Sequence, residues 1–367
     1  MRYLLSFFLF LVFLNCQKKD NKPEFIKAKI ISSKIDSLNS KEKVEEYIRG
    51  LSFPIIENFE LQKLDLTHNF LEKFELKKIA DFNREFDSIT KIIADSLNIS
   101  KSFYLMDIDN NGFTDLIIIG DDKGCNGGHD GFDQSCDFSA YCFMNFGNNN
   151  IKPIDLILEN SVHKSIVPKF SKNKGLPLLE IHEPAEFNWK KEKTSSYKMF
   201  ELTYEFGSLI EYNDNPQIYD IEKVEFKTET SGYKHPHFEI LIKNDQTALL
   251  DAKYGNSIYE NTKVYFRDTI PELKGKFRTN IKNNDYDNLV NILNYIDFPN
   301  MEHQYSINRL HTRNCSLKIT YNNGKVKEIK DYGMVGTYGL RKIYELLFDF
   351  RFNQNWKENT TANTVYN

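Results

Sequence analysis

The chain lacks a strong charge of either sign. Its 48 Lys and Arg stand against 52 Asp and Glu, a net charge of −4 over 367 residues. Without a large basic field there is nothing to attract a polyphosphate, which excludes nucleic acid as a partner. The chain also lacks the apolar run of about 20 residues that a membrane-spanning helix takes. No G-x-S-x-G nucleophile elbow is present. HEPAE (182–186) starts like the zinc motif H-E-x-x-H but carries Glu186 where the second His must stand. GMVGTYGL (333–340) has no Walker Lys and reads as a turn with Thr337 near a helix cap. No repeat of 20–50 residues is visible, so a propeller or solenoid built from copies is not expected. Glycine is scarce at 17, whereas 29 Phe and 20 Tyr favour packed sheet over disorder.

The N-terminus is rich where the rest is balanced. Arg2 precedes YLLSFFLFLVFL (3–14), in which only Ser6 is polar, and Asn15-Cys16 follows. This run is too short for a span and suits the core of a signal peptide. A Cys directly after such a core resembles a bacterial lipoprotein signal. That resemblance implies a signal peptide over 1–15 and a lipidated Cys16 as the first mature residue. It also implies anchoring to the outer membrane, because Gln17 rather than Asp follows the Cys. Several acyl chains on one Cys hold a protein to a membrane almost irreversibly, at about 0.8 kcal/mol per buried CH₂. QKKDNKPE (17–24) reads as the start of a polar tether extending to about residue 35. The expected partner is therefore a membrane reached through Cys16, with an unidentified protein or glycan ligand beyond it.

Helices are expected at 40–51, with Ser40 as N-cap, within 70–98, at 285–296 and at 339–352. Short strands dominate from Phe103 onward: 102–108, 113–120, 154–159, 177–183, 197–206, 223–229, 237–243, 247–254, 263–269 and 274–280. Residues 315–332 read as a hairpin whose two-residue turn is Asn323-Gly324, since both positions need positive φ. NDNPQ (213–217) is the best interior boundary. The expectation is an α+β protein of mostly antiparallel sheet with a few helices, in two domains, 36–216 and 217–356, with a polar tail over 357–367.

MDIDNNGFTDLIIIG (106–120) interrupts strand formers with carboxylates. With Asp107 as position one, Asp109 is three, Asn111 five, Gly112 six and Asp115 nine. Alternating side chains bent back by a Gly turn can surround a hard cation with oxygens, and the Phe113 carbonyl at position seven adds another. Such a set suits Ca²⁺ and not Zn²⁺, which prefers nitrogen and sulfur. Crowded carboxylates repel unless something positive sits among them. The stretch resembles the calcium loop of FG-GAP and VCBS-type repeats, D-x-D-x-[DN]-G-x-x-D before an apolar strand. The resemblance implies Asp107, Asp109, Asn111 and Asp115 as side-chain ligands.

Downstream, DDKGCNGGHDGFDQSCDFSAYC (121–142) reads as a loop. In an oxidising compartment Cys125, Cys136, Cys142 and Cys315 are disulfide candidates, with three connectivities open. If all four pair, one of the first three reaches Cys315. His129, Asp130 and Asp133 are the acid-base candidates for an alternative reading as a metal-dependent hydrolase. His235 and His237 read as surface strand residues.

Finally, IEKVEFKTETSGYKHPHFEILIKNDQTALLDA and LKITYNNGKVKEIKDYGMVGTYGLRKIYELL, within about 218–352, resemble an uncharacterised domain of bacterial secreted proteins and lipoproteins. Gly232, Pro236 and Phe238 match its opening run, whose two cysteines are absent here, so any role of that pair is absent too. The resemblance implies an antiparallel α+β fold and no mechanism. The functional expectation is a calcium-stabilised, non-catalytic binding or structural module of the cell envelope.

Overall fold

The computed structural model describes residues 31–51, 74–82, 87–121, 138–158, 165–185, 196–230, 236–256, 259–263, 266–269, 272–307 and 312–359. The protein is α+β, with mostly antiparallel sheets and helices packed against them.

A first sheet contains β1 (Glu75–Leu76), β2 (Phe103–Met106), β3 (Asp115–Asp121), β4 (Ser139–Asn145) and β5 (Ile151–Asp155). Every residue of β3 and β4 is buried. Both faces of this sheet are covered, which is why β3 reads as an unbroken apolar run instead of alternating. Leu116, Ile118, Tyr141 and Phe143 turn to one core with Val44, Tyr47 and Ile48 of α1 (Lys41–Arg49). Ile117, Ile119, Ala140, Cys142 and Met144 turn to the other. Fully burying one such Ile contributes roughly 1.5–3 kcal/mol.

That second core is shared with the sheet β6 (Val167–Asn173), β7 (Leu176–Glu183), β8 (Lys198–Glu205) and β9 (Ser208–Glu211), through Leu179, Ile181, Leu202 and Leu209. The helix α2 (Asp87–Ser96) adds Ala94.

The remaining strands belong mainly to an eight-stranded sheet: β10 (Ile221–Thr230), β11 (His237–Lys243), β12 (Thr247–Tyr254), β15 (Gly275–Asn280), β16 (Gln304–Ser306), β17 (Arg313–Tyr321), β18 (Lys325–Tyr332) and β19 (Lys357–Glu358). The short hairpin β13 (Tyr259–Lys263) and β14 (Phe266–Thr269) stands apart. Here one face is packed and one is solvated, so residues alternate. Phe238, Ile240 and Ile242 point inward, while Glu239 pairs outward with Lys253 at 2.9 Å. The inner face is covered by α3 (Asn283–Tyr295) and α4 (Tyr338–Asn353), with Phe226 stacked on Tyr344 at 5.7 Å.

The start of α4 joins the halves. Tyr338 lies in the core of the first half, donates its hydroxyl to the Leu156 carbonyl at 2.7 Å and packs edge-on against Phe200. The half-buried Glu211 carboxylate accepts N–H bonds from Tyr338 (2.7 Å) and Gly339 (2.8 Å). A helix N-terminus favours an anion, and here the chain supplies its own. Thr337 is the N-cap, accepting from the Leu340 N–H at 3.2 Å.

Three local expectations change. The end of the segment read as a loop is the buried strand β4, since SAYCFM feeds two cores in alternation. The expected strand 263–269 is split between β13 and β14. The Asn323-Gly324 turn holds three residues between the paired Tyr321 and Lys325, with Asn322, Asn323 and Gly324 at φ 45°, 65° and 82°. The extra residue is held from outside: the Asn322 side chain accepts the Asp220 N–H at 2.8 Å, and Glu222 accepts the Gly324 N–H at 2.9 Å.

Candidate metal centre

The loop between β2 and β3 is tied by its own acidic side chains. Asp107 accepts the N–H groups of Asn111 (3.0 Å) and Gly112 (2.9 Å), folding the chain back on itself. Asn110 at φ 55° and Gly112 at φ 91° supply the left-handed residues that such a reversal needs. Asp109 accepts a second bond from the Asn111 N–H at 3.2 Å. The following strand then pins the loop. Asp115, fully buried, accepts the Ile108 N–H and the Asn145 N–H, each at 2.7 Å.

One ligand oxygen from each of Asp107, Asp109 and Asp115 lies within 4.8 Å of the others. Among the described residues no Lys or Arg is paired with any of them. Burial, with Asp107 beside it, pushes the Asp109 carboxyl up to about 6. Burial, with Asp109 and Asp107 adding repulsion, pushes Asp115 up to about 8. The effect spreads inward: burial, helped by the same carboxylates, raises the Cys142 thiol and pushes the Tyr204 phenol up to about 12. A cation at the point of convergence would offset the repulsion among these carboxylates, and the donors are all oxygen, the chemistry that Ca²⁺ takes.

Of the expected ligand set, the three carboxylates converge, and the Asn111 side chain lies beside them, bonded to Asp109. The Asn111 carbonyl oxygen accepts the Phe113 N–H at 2.7 Å, while its amide donates to Asp109 at 2.9 Å and to the Asn145 carbonyl at 2.9 Å. Phe113 rests its ring on Gly147, where an added Cβ would come within 2.5 Å of the ring.

Sequence reasoning missed Asn145. It is buried at the end of β4, donates its N–H to Asp115 and its amide to the Thr114 carbonyl at 3.1 Å, and accepts the Gly147 N–H at 3.0 Å. The only sequence signal is an Asn closing an apolar run and facing a turn-rich FGNNN. The loop also reaches back to the start of the described chain. The Ile31 N–H donates to the Gly112 carbonyl at 2.8 Å, and the Thr114 hydroxyl donates to Asp36 at 2.5 Å.

Cys142 and Cys315 are free and buried. Both were read as disulfide candidates, and neither is bonded: Cys142 points into the core between the first two sheets and Cys315 into the core under α4. Cys16, Cys125, Cys136, His129, Asp130 and Asp133 lie outside the described residues, as does His235. Its neighbour His237 packs edge-on against Tyr254 at 5.1 Å.

Among curated proteins and among solved structures, no match to this chain is found. Residues 222–351, which run from the second residue of β10 to near the end of α4, match the family described as "Domain of unknown function (DUF6438)".

Proposed function

We propose that this protein is an exported lipoprotein of the cell envelope, tied to the outer membrane through a lipidated Cys16. Its first half holds one Ca²⁺ at Asp107, Asp109 and Asp115, and the whole serves as a non-catalytic module that binds a protein or glycan or braces the envelope. The observation that carries the calcium reading is the convergence of three partly or fully buried carboxylates within 4.8 Å, with no cationic side chain paired with them among the described residues. The export reading rests on the apolar run ending at Asn15-Cys16. Among the described residues no helix is long and apolar enough to cross a membrane.

The ion's role here is structural. The three carboxylates would hold it between the two ends of the β2–β3 loop, and the chemistry it supplies is charge neutralisation. At a Kd near 10 μM in ~1 mM calcium, mass action stabilises the fold by roughly 2.7 kcal/mol. Thermal unfolding of the soluble mature chain should therefore shift upward with added calcium relative to EDTA. A melting temperature identical in both removes the calcium reading. Metabolic labelling with palmitate that enters the wild type and not Cys16→Ser supports the anchor, and labelling of both removes it.

A further inference from the structure

The residues that fail as a zinc motif form a different constellation. His182 lies on β7, on the face of its sheet turned away from Leu179 and Ile181, and is nearly enclosed at 6% exposed. Its Nδ1 lies 2.6 Å from the Tyr197 hydroxyl, and its Nε2 lies 3.1 Å from Glu180. Lys169 on β6 donates to the same Glu180 oxygen at 3.1 Å. Burial raises the Glu180 carboxyl, but bonds from Lys169, Ser171 and His182 outweigh that and hold it below the ordinary carboxylate range.

An ionised Glu180 can only accept. In the neutral imidazole, Nε2 therefore carries the proton, and Nδ1 is left as an acceptor aimed at the phenol. A nucleophile, a base and a group that orients the base stand in sequence, while Tyr197 itself is 49% exposed. The arrangement is the acyl-transfer relay with a phenol in place of an alcohol.

We propose that Tyr197 is a primed nucleophile and an acyl-acceptor site, taking the acyl group of a neutral activated ester or amide. In the step, the phenol oxygen bonds to the acyl carbon and the phenol proton passes to His182 Nδ1. The acyl–leaving-group bond then breaks, and that proton goes to the leaving group, so His182 returns neutral. A neutral donor suits the site, because Lys169 is already paired with Glu180 and Glu201 on β8 stands directly across from that pair. The proposal is independent of the calcium loop, which lies on other strands.

The test is acetylation of the full mature chain by N-acetylimidazole, read per tyrosine by peptide mass spectrometry. Tyr254, 39% exposed, is the internal reference. Tyr197 should label on the order of a hundredfold faster than Tyr254, the acceleration a positioned base supplies. In His182→Gln the Tyr197 rate should fall to that of Tyr254. Should His182→Gln fail to fold, Glu180→Gln decides, because it keeps the imidazole but removes the acceptor-only charge that fixes its tautomer, and its Tyr197 rate should also drop toward the reference. Tyr197 labelling no faster than Tyr254 in the wild type, or unchanged rates in the folded variants, overturns the proposal.

Discussion

Asp115 and Asp331 are the same residue with the same exposure, none, and each sits at the end of a strand. Burial raises both carboxyls. What surrounds them differs. Asp331 is saturated with donors: the Tyr344 hydroxyl at 3.1 Å, the Val335 N–H at 3.2 Å, and the N–H groups of Met334 and Gly336. It is the hub about which the GMVG loop wraps before α4. Asp115 receives two backbone N–H bonds, but its other neighbours are Asp107 and Asp109. Burial alone therefore does not mark a functional acid. A buried carboxylate ringed by donors is a structural part, whereas one facing further carboxylates is where a cation, as proposed for Asp115, would replace a proton.

The largest break in this comparison is at Asp331. Asp331→Ala strips the acceptor from several buried donors, each costing about 1–3 kcal/mol when left unmade. Urea unfolding should show a loss of about 3–5 kcal/mol, the same in calcium and in EDTA. A calcium-dependent loss would mean that the two halves share one cation-linked equilibrium.

Next comes pH. The Asp109 and Asp115 carboxyls stand at about 6 and about 8 in the fold, against 3.8 for the unfolded chain. Between roughly pH 4 and pH 8 the folded state thus binds more protons than the unfolded one, so stability falls as pH rises across that window. Glu211 and Asp331 are raised by burial as well and slope the same way, yet neither touches the loop. The difference between calcium and EDTA curves isolates the three aspartates. That gap should be small near pH 5 and widen to a few kcal/mol by pH 8. A gap that is constant with pH would exclude these carboxylates as the cation's ligands.

How far the sequence alone reaches follows from the physics at each place. The long strands of the eight-stranded sheet were legible because one wet face imposes alternation, as in HFEILIK, and an Asn-Gly turn marks its hairpin. The clustering of Asp107, Asp109 and Asp115 was legible because all three are local in the chain. Asn145 was not, since it enters the loop from 30 residues away through a strand pairing. β4 was hidden because SAYCFM opens directly out of the Gly-, Asp- and Cys-rich stretch before it, and its Cys142 read as loop chemistry when it is core. The tie between Glu211 and α4 is a contact across 127 residues, and no spacing rule anticipates it.

The smallest effect is the sharpest. Asp109→Asn removes one of three mutually repelling carboxylates and keeps an oxygen for the Asn111 N–H. In EDTA at pH 8 the variant should be as stable as the wild type or more so, by up to about 1 kcal/mol, because the repulsion has gone. In calcium the order should reverse, because one charged ligand is missing and the ion is held less tightly. Two unfolding curves that cross between calcium and EDTA mean that Asp109 is present for the ion's sake. Curves that stay parallel place Asp109 with Asp331, as an acid whose partners are already within the chain.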